Sequence, residues 1–165
     1  MKGHDMKKHY VSRRSLLIGG FVIFASAAVG IESAKALPSI RVHRDPSCGC
    51  CGAWVDHLRA SGFTAEVIET AEINRVKSKL GVPQSLASCH TAEVDRYVVE
   101  GHVPAAAITR LLTERPVGKG LAVPGMPVGS PGMEVEGAEP EIYSVILFGP
   151  SGQRTYSRFR GATEI

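Results

Sequence analysis

Three cysteines stand within four residues, Cys48-Gly49-Cys50-Cys51, at the junction of two patterned segments. Ile40-Arg41-Val42-His43 alternates apolar and polar residues, as a strand does, and Asp45-Pro46 breaks it. From about Cys51 to Ala60 the apolar residues Cys51, Val55 and Leu58 recur at i, i+4 and i+7, one face of a helix that Gly62 can end. The cysteines therefore sit where a strand turns into a helix. Exposed N–H groups and the positive end of the helix dipole there favour thiolate over thiol.

The rest of the chain supplies the frame. Phe63–Ile68 reads as a second strand. Thr70 can cap a helix with Ile73, Val76 and Leu80 on one face, closed by Gly81 and Pro83. Ser88-Cys89-His90-Thr91 is a polar loop or strand start, and Tyr97-Val98-Val99-Glu100 a strand. Pro104 opens a helix to about Glu114 with Ile108, Leu111 and Leu112 inward. Gly118–Gly132 reads as a long Gly/Pro loop, and a terminal hairpin joins Tyr143–Phe148 to Thr155–Phe159 through a turn at residues 150–153. The sum is an α/β fold of thioredoxin-like plan. In it, residues 82–140 are an insertion, a helix and the Gly/Pro loop, ahead of the hairpin.

The first 36 residues belong to a different unit. Met1–Arg14 is basic, Leu16–Ile31 is uncharged and mostly apolar, and Ala34-Lys35-Ala36 has the small-x-small form that a signal peptidase accepts. Ser12-Arg13-Arg14-Ser15-Leu16-Leu17 is similar to a twin-arginine export signal. The apolar run is short for an uncleaved anchor, which would need ~20 residues. The expected organisation is an export signal over 1–36 and one domain over 37–165, delivered to the periplasm with no membrane attachment after cleavage. The leader holds six of the 19 Lys and Arg residues and two of the 16 Asp and Glu residues. The remainder, with 13 basic and 14 acidic residues, is not a nucleic-acid binder by charge.

An oxidising compartment requires cysteines to be metal-bound, disulfide-bonded or catalytic. Neighbouring helical side chains point about 100° apart, so Cys50 and Cys51 do not converge easily on one small ion. Three clustered sulfurs plus Cys89 suit a small Cu(I)–thiolate cluster better than a single tetrahedral ion, with zinc the lesser candidate. After the leader the only methionines are Met126 and Met133, both in the Gly/Pro loop; they are soft thioether donors in a place where core packing is unusual. His90 and His102 could supply imidazole to the metal or orient a thiolate from outside. His43 is a weaker candidate, His57 falls on the exposed face of the first helix, and Trp54 either shields the site or fills the core.

Four ordered blocks carry a family resemblance: Asp45–Trp54 with its CGCC core, Ser88–Thr91, Tyr97–Pro104 and Gly120–Glu134. Together the chain resembles the domain-of-unknown-function family of periplasmic CGCC metal-binding proteins, which includes copper-resistance proteins of the CopG type. The resemblance implies a thioredoxin-like domain, copper binding by Cys48, Cys50, Cys51 and Cys89, and a role in copper or heavy-metal tolerance. That role would be sequestration, copper redox, or transfer to other periplasmic copper-handling proteins. Whether the chain is an enzyme stays open. A thiol–disulfide oxidoreductase using Cys48 and Cys51 is the alternative function, and a pair of structural disulfides or one zinc held by Cys48, Cys51, Cys89 and His90 is the third.

Overall fold

The computed structural model describes residues 36–165; the expected export signal lies outside them, apart from Ala36. One eight-stranded sheet organises the domain. Its strands are β1 (Ile40–Arg44), β2 (Ala65–Glu69), β3 (His90–Val94), β4 (Tyr97–Glu100), β5 (Gly120–Ala122), β6 (Ile142–Gly149), β7 (Gly152–Arg160) and β8 (Thr163–Glu164). They lie in the order β2-β1-β3-β4-β5-β6-β7-β8. β1 runs parallel to β2 and antiparallel to β3, and β4 runs parallel to β5; the remaining pairs are antiparallel. Among the described residues three α-helices complete it: α1 (Gly49–Ala60), α2 (Ile73–Leu80) and α3 (Ala105–Glu114).

The alternation of the strands sorts the core into two faces. Ile40, Val42, Val99 and Leu121 meet Trp54, Val55 and Leu58 of α1 and Ile108 and Leu111 of α3 in the main cluster. Val98 and Ala122, one residue out of phase, join Leu86 and Phe148 in a smaller cluster, with Leu80 and Val82 packed on it. Each large side chain so buried contributes roughly 1.5–3 kcal/mol.

The structure departs from the sequence reading in three places. Residues 82–140 are not a mere insertion between α2 and the terminal hairpin β6–β7: they contribute β3, β4 and β5, which separate β1 from that hairpin within the sheet. The Gly/Pro segment is not all loop, because Gly120–Ala122 pairs with both β4 and β6. Such a strand has no periodicity of its own and is imposed by its neighbours; a side chain at Gly120 would collide with the Val98 backbone. On α2 the buried residue is Lys77, while Ile73, Val76 and Leu80 are only partly covered. The apolar pattern gave no reason to bury a lysine there.

Candidate metal centre

The cysteine motif is built by local turn chemistry. The Cys48 N–H donates to the Asp45 carbonyl at 3.0 Å, and the Arg44 guanidinium donates to the Cys48 carbonyl at 3.0 Å while pairing with Glu69 at 2.6 Å. Cys48 takes the N-cap position of α1, so the helix begins at Gly49, two residues earlier than its apolar pattern suggests. All three cysteines thus lie in or beside its first turn.

Cys89 reaches the same place from far along the chain. It immediately precedes β3, whose pairing with β1 sets His90 opposite Arg44. The four sulfurs of Cys48, Cys50, Cys51 and Cys89 lie within 4.8 Å of one another. Cys50 Sγ is 3.6 Å from Cys48 Sγ and 3.9 Å from Cys89 Sγ. Cys48 and Cys51 are joined as a disulfide with a Cα–Cα separation of 5.6 Å, leaving Cys50 and Cys89 as free thiols. The sequence reading took all four sulfurs as ionised and unpaired. Instead two are covalently paired here, and burial, reinforced by Cys50, pushes the Cys89 thiol up to about 12, so it holds its proton at neutral pH.

Both candidate histidines face Cys89. His90 Nδ1 is 3.2 Å and His102 Nε2 is 3.1 Å from Cys89 Sγ. His102 Nδ1 lies 2.8 Å from the Pro131 carbonyl. A carbonyl only accepts, so Nδ1 carries the proton and Nε2 offers its lone pair to the Cys89 thiol. Burial holds both rings below their ordinary value, His90 far below, which keeps them neutral and able to act as donors to a metal. The His90 ring packs against Trp54, centroids 4.3 Å apart and planes tilted by 38°, and its buried Nε2 has no hydrogen-bond partner in the protein. Trp54 belongs to the core: fully buried, it donates from Nε1 to the Val103 carbonyl at 2.9 Å.

The Gly/Pro segment is clamped onto this site. A Cβ on Gly132 would lie 2.6 Å from Trp54 N and 3.0 Å from the Cys50 carbonyl, so the loop backbone rests directly on the first turns of α1. That contact brings the Met133 backbone to the cysteine helix. Ser88 Oγ donates to the Gly125 carbonyl at 2.6 Å, which ties the residue before Cys89 to the residue before Met126; Met126 itself is 52% exposed.

Three residues to which the sequence assigns no site role matter here. His57 is not simply solvated: its Nε2 accepts from the Ala105 N–H at 3.1 Å, satisfying an N-terminal amide of α3, and burial lowers its pKa. The buried pair Lys77 and Glu100, 2.6 Å apart, lies next to the segment that carries Cys89. His43 is set apart from the sulfur cluster in its own contact, 3.1 Å from Glu93.

Among the described residues, the Cys, His, Asp and Glu side chains that converge are cysteines and histidines only. No carboxylate enters the two clusters, Cys48/Cys50/Cys51/Cys89 and Cys89/His90/His102, which share Cys89. Sulfur with imidazole suits soft or borderline ions such as Cu(I) and zinc and does not suit magnesium or calcium.

Residues 86–133 match a family model described as a protein of unknown function, DUF411. Two solved structures of a copper resistance protein, CopG, in forms 1 and 2, are each 48% identical to the chain with a TM-score of 0.70. Form 2 aligns over 74% of this chain and 98% of its own, and form 1 over 76% and 99%. No curated protein sequence matches the chain.

Proposed function

We propose, from the premise that this chain belongs to the CopG-like DUF411 family, that it is a periplasmic copper-resistance protein holding Cu(I) through the thiolates of Cys48, Cys50, Cys51 and Cys89. The observation that carries the reading is the convergence of four sulfurs within 4.8 Å with no carboxylate among them. Thiolate clusters favour Cu(I) over harder cations, and the two neutral imidazoles around Cys89 extend the donor set. Met133 and Met126, on the loop that rests on the site, are further soft donors. Binding through all four sulfurs requires the Cys48–Cys51 disulfide to be reduced, so copper loading and thiol redox are linked in this reading. Sequestration, transfer and copper redox all use the same ligands. In this reading the leader is cleaved after Ala36 and delivers the protein to the periplasm, where other copper-handling proteins would be its partners.

The Cys48–Cys51 disulfide at the start of α1 favours one alternative, a thiol–disulfide oxidoreductase. β1 through α3, with strands ordered β2-β1-β3-β4, reads as a thioredoxin-like unit completed by the β3–β4 hairpin; residues 115–165 then extend it. One experiment separates the two functions. The reduced protein is titrated with Cu(I), bound copper is counted, and its sulfur environment is read by X-ray absorption. At least two coppers per chain with Cu–S scattering is the expected result, and fewer than two without it overturns the cluster. Insulin reduction by the metal-free protein that survives Cys50→Ser and disappears in Cys48→Ser would establish the alternative.

A further inference from the structure

A charged cluster lies buried beside the cysteine site, and the proposed function does not use it. Glu100 is 0% exposed and Lys77 5%. Glu100 Oε1 accepts from Lys77 Nζ at 2.6 Å and from the Ser88 backbone N–H at 2.6 Å. Its Oε2 accepts from Thr91 Oγ1 at 2.6 Å, and Thr91 Oγ1 in turn accepts from Lys77 Nζ at 2.9 Å. One carboxylate therefore grips the chain at Ser88 and again at Thr91, on either side of Cys89-His90. Thr91 faces α2 while His90 packs on Trp54 of α1, the alternation of a strand, so this grip lies across the sheet from the His90 ring.

Stability alone does not explain the arrangement. A buried ion pair is commonly matched or exceeded by apolar side chains of similar volume, because desolvation offsets much of the attraction. What the carboxylate supplies, and an apolar group cannot, is two directional contacts that fix a segment at both ends. The backbone continues the restraint: the Gly101 N–H donates to the His90 carbonyl at 3.1 Å.

We propose that Glu100, neutralised by Lys77 and braced by Thr91, is a positioning residue that sets Cys89 within reach of Cys50 and of the two imidazoles. As a device of the copper site this rests on the function proposed above, but the placement of Cys89 is measurable without copper. Cys50 shares the cluster yet belongs to α1, so the Cys89-to-Cys50 reactivity ratio reports the grip and cancels general loosening.

The test uses metal-free protein recovered from cells expressing the full chain, treated with iodoacetamide without reductant, the two free thiols being followed separately by peptide mass. In Lys77→Met/Thr91→Val/Glu100→Leu the ratio rises at least fivefold, and in Glu100→Gln, which keeps an oxygen for the Ser88 N–H, it stays within twofold of the parent. Thr91→Val removes one arm of the grip at nearly constant volume. It raises the ratio at least threefold, whereas Thr91→Ser stays within twofold, so the proposal remains exposed even if the triple variant does not fold. Equal ratios in Thr91→Val and Thr91→Ser, or a folded triple variant within twofold of the parent, overturn it. In the parent, failure to bind Cu(I) refutes the copper reading alone, because the ratio is measured without metal.

Discussion

The contact between the Gly/Pro loop and the cysteine helix can be tested with one methyl group. Gly132 has φ +85°, a conformation in which an L side chain costs about 1–2 kcal/mol. The added Cβ would also meet Trp54 N at 2.6 Å, the Cys50 carbonyl at 3.0 Å and Trp54 Cα at 3.1 Å. All three are helix backbone atoms that cannot swing aside. Ordinary contact starts at 3.4 Å, so the loop must retreat by about 0.8 Å. Forced overpacking of this kind costs about 1–3 kcal/mol, which makes about 2–5 kcal/mol in all for Gly132→Ala. Gly137→Ala is the control. Its φ is +77° with no atom within 4 Å of a Cβ, so it carries the conformational cost alone, about 1–2 kcal/mol. Urea unfolding of both variants measures the difference. If the loop lifts instead of straining the whole domain, the His102–Pro131 hydrogen bond breaks and Cys89 alkylation accelerates in place of the stability loss. Gly132→Ala and Gly137→Ala indistinguishable in both measurements would refute a clamped loop.

Two further outcomes follow from buried polar groups. Lys77→Met alone leaves the Glu100 carboxylate buried and unpaired and should cost about 3–5 kcal/mol, whereas Lys77→Met/Thr91→Val/Glu100→Leu should recover most of it in denaturant titration; equal losses would contradict the ion-pair account. His57, His90 and His102 all have folded pKa values below the ordinary 6.5, burial being the largest cause in each. As pH falls below 6.5 the unfolded chain takes up protons that the fold resists. The metal-free protein is therefore most stable above that pH and loses stability as pH falls toward the folded values, by at most about 1.4 kcal/mol per pH unit for each ring. Stability that stays flat from pH 7.5 to 5 would contradict this, and His57→Gln should shallow the slope.

Much of this protein is determined by its sequence, for a local reason. The helix after Cys48, the left-handed close of α2 at Gly81, α3 after Pro104 and the terminal hairpin are each specified by residues within one or two turns of each other. The clustering of thiols was legible in the same way, since three cysteines in four residues are a compositional fact. Only the tertiary structure decided which strands neighbour one another. β5 is too short to carry a period, and no local pattern states that β3, β4 and β5 lie between β1 and the last hairpin. The same long-range pairing brings Cys89 to Cys50, turns His102 toward Cys89 through the Pro131 carbonyl, sets His57 under α3 and buries Lys77 against Glu100. Each of these depends on two segments meeting across at least 13 positions of sequence, or on an atom of the backbone, and side-chain periodicity records neither.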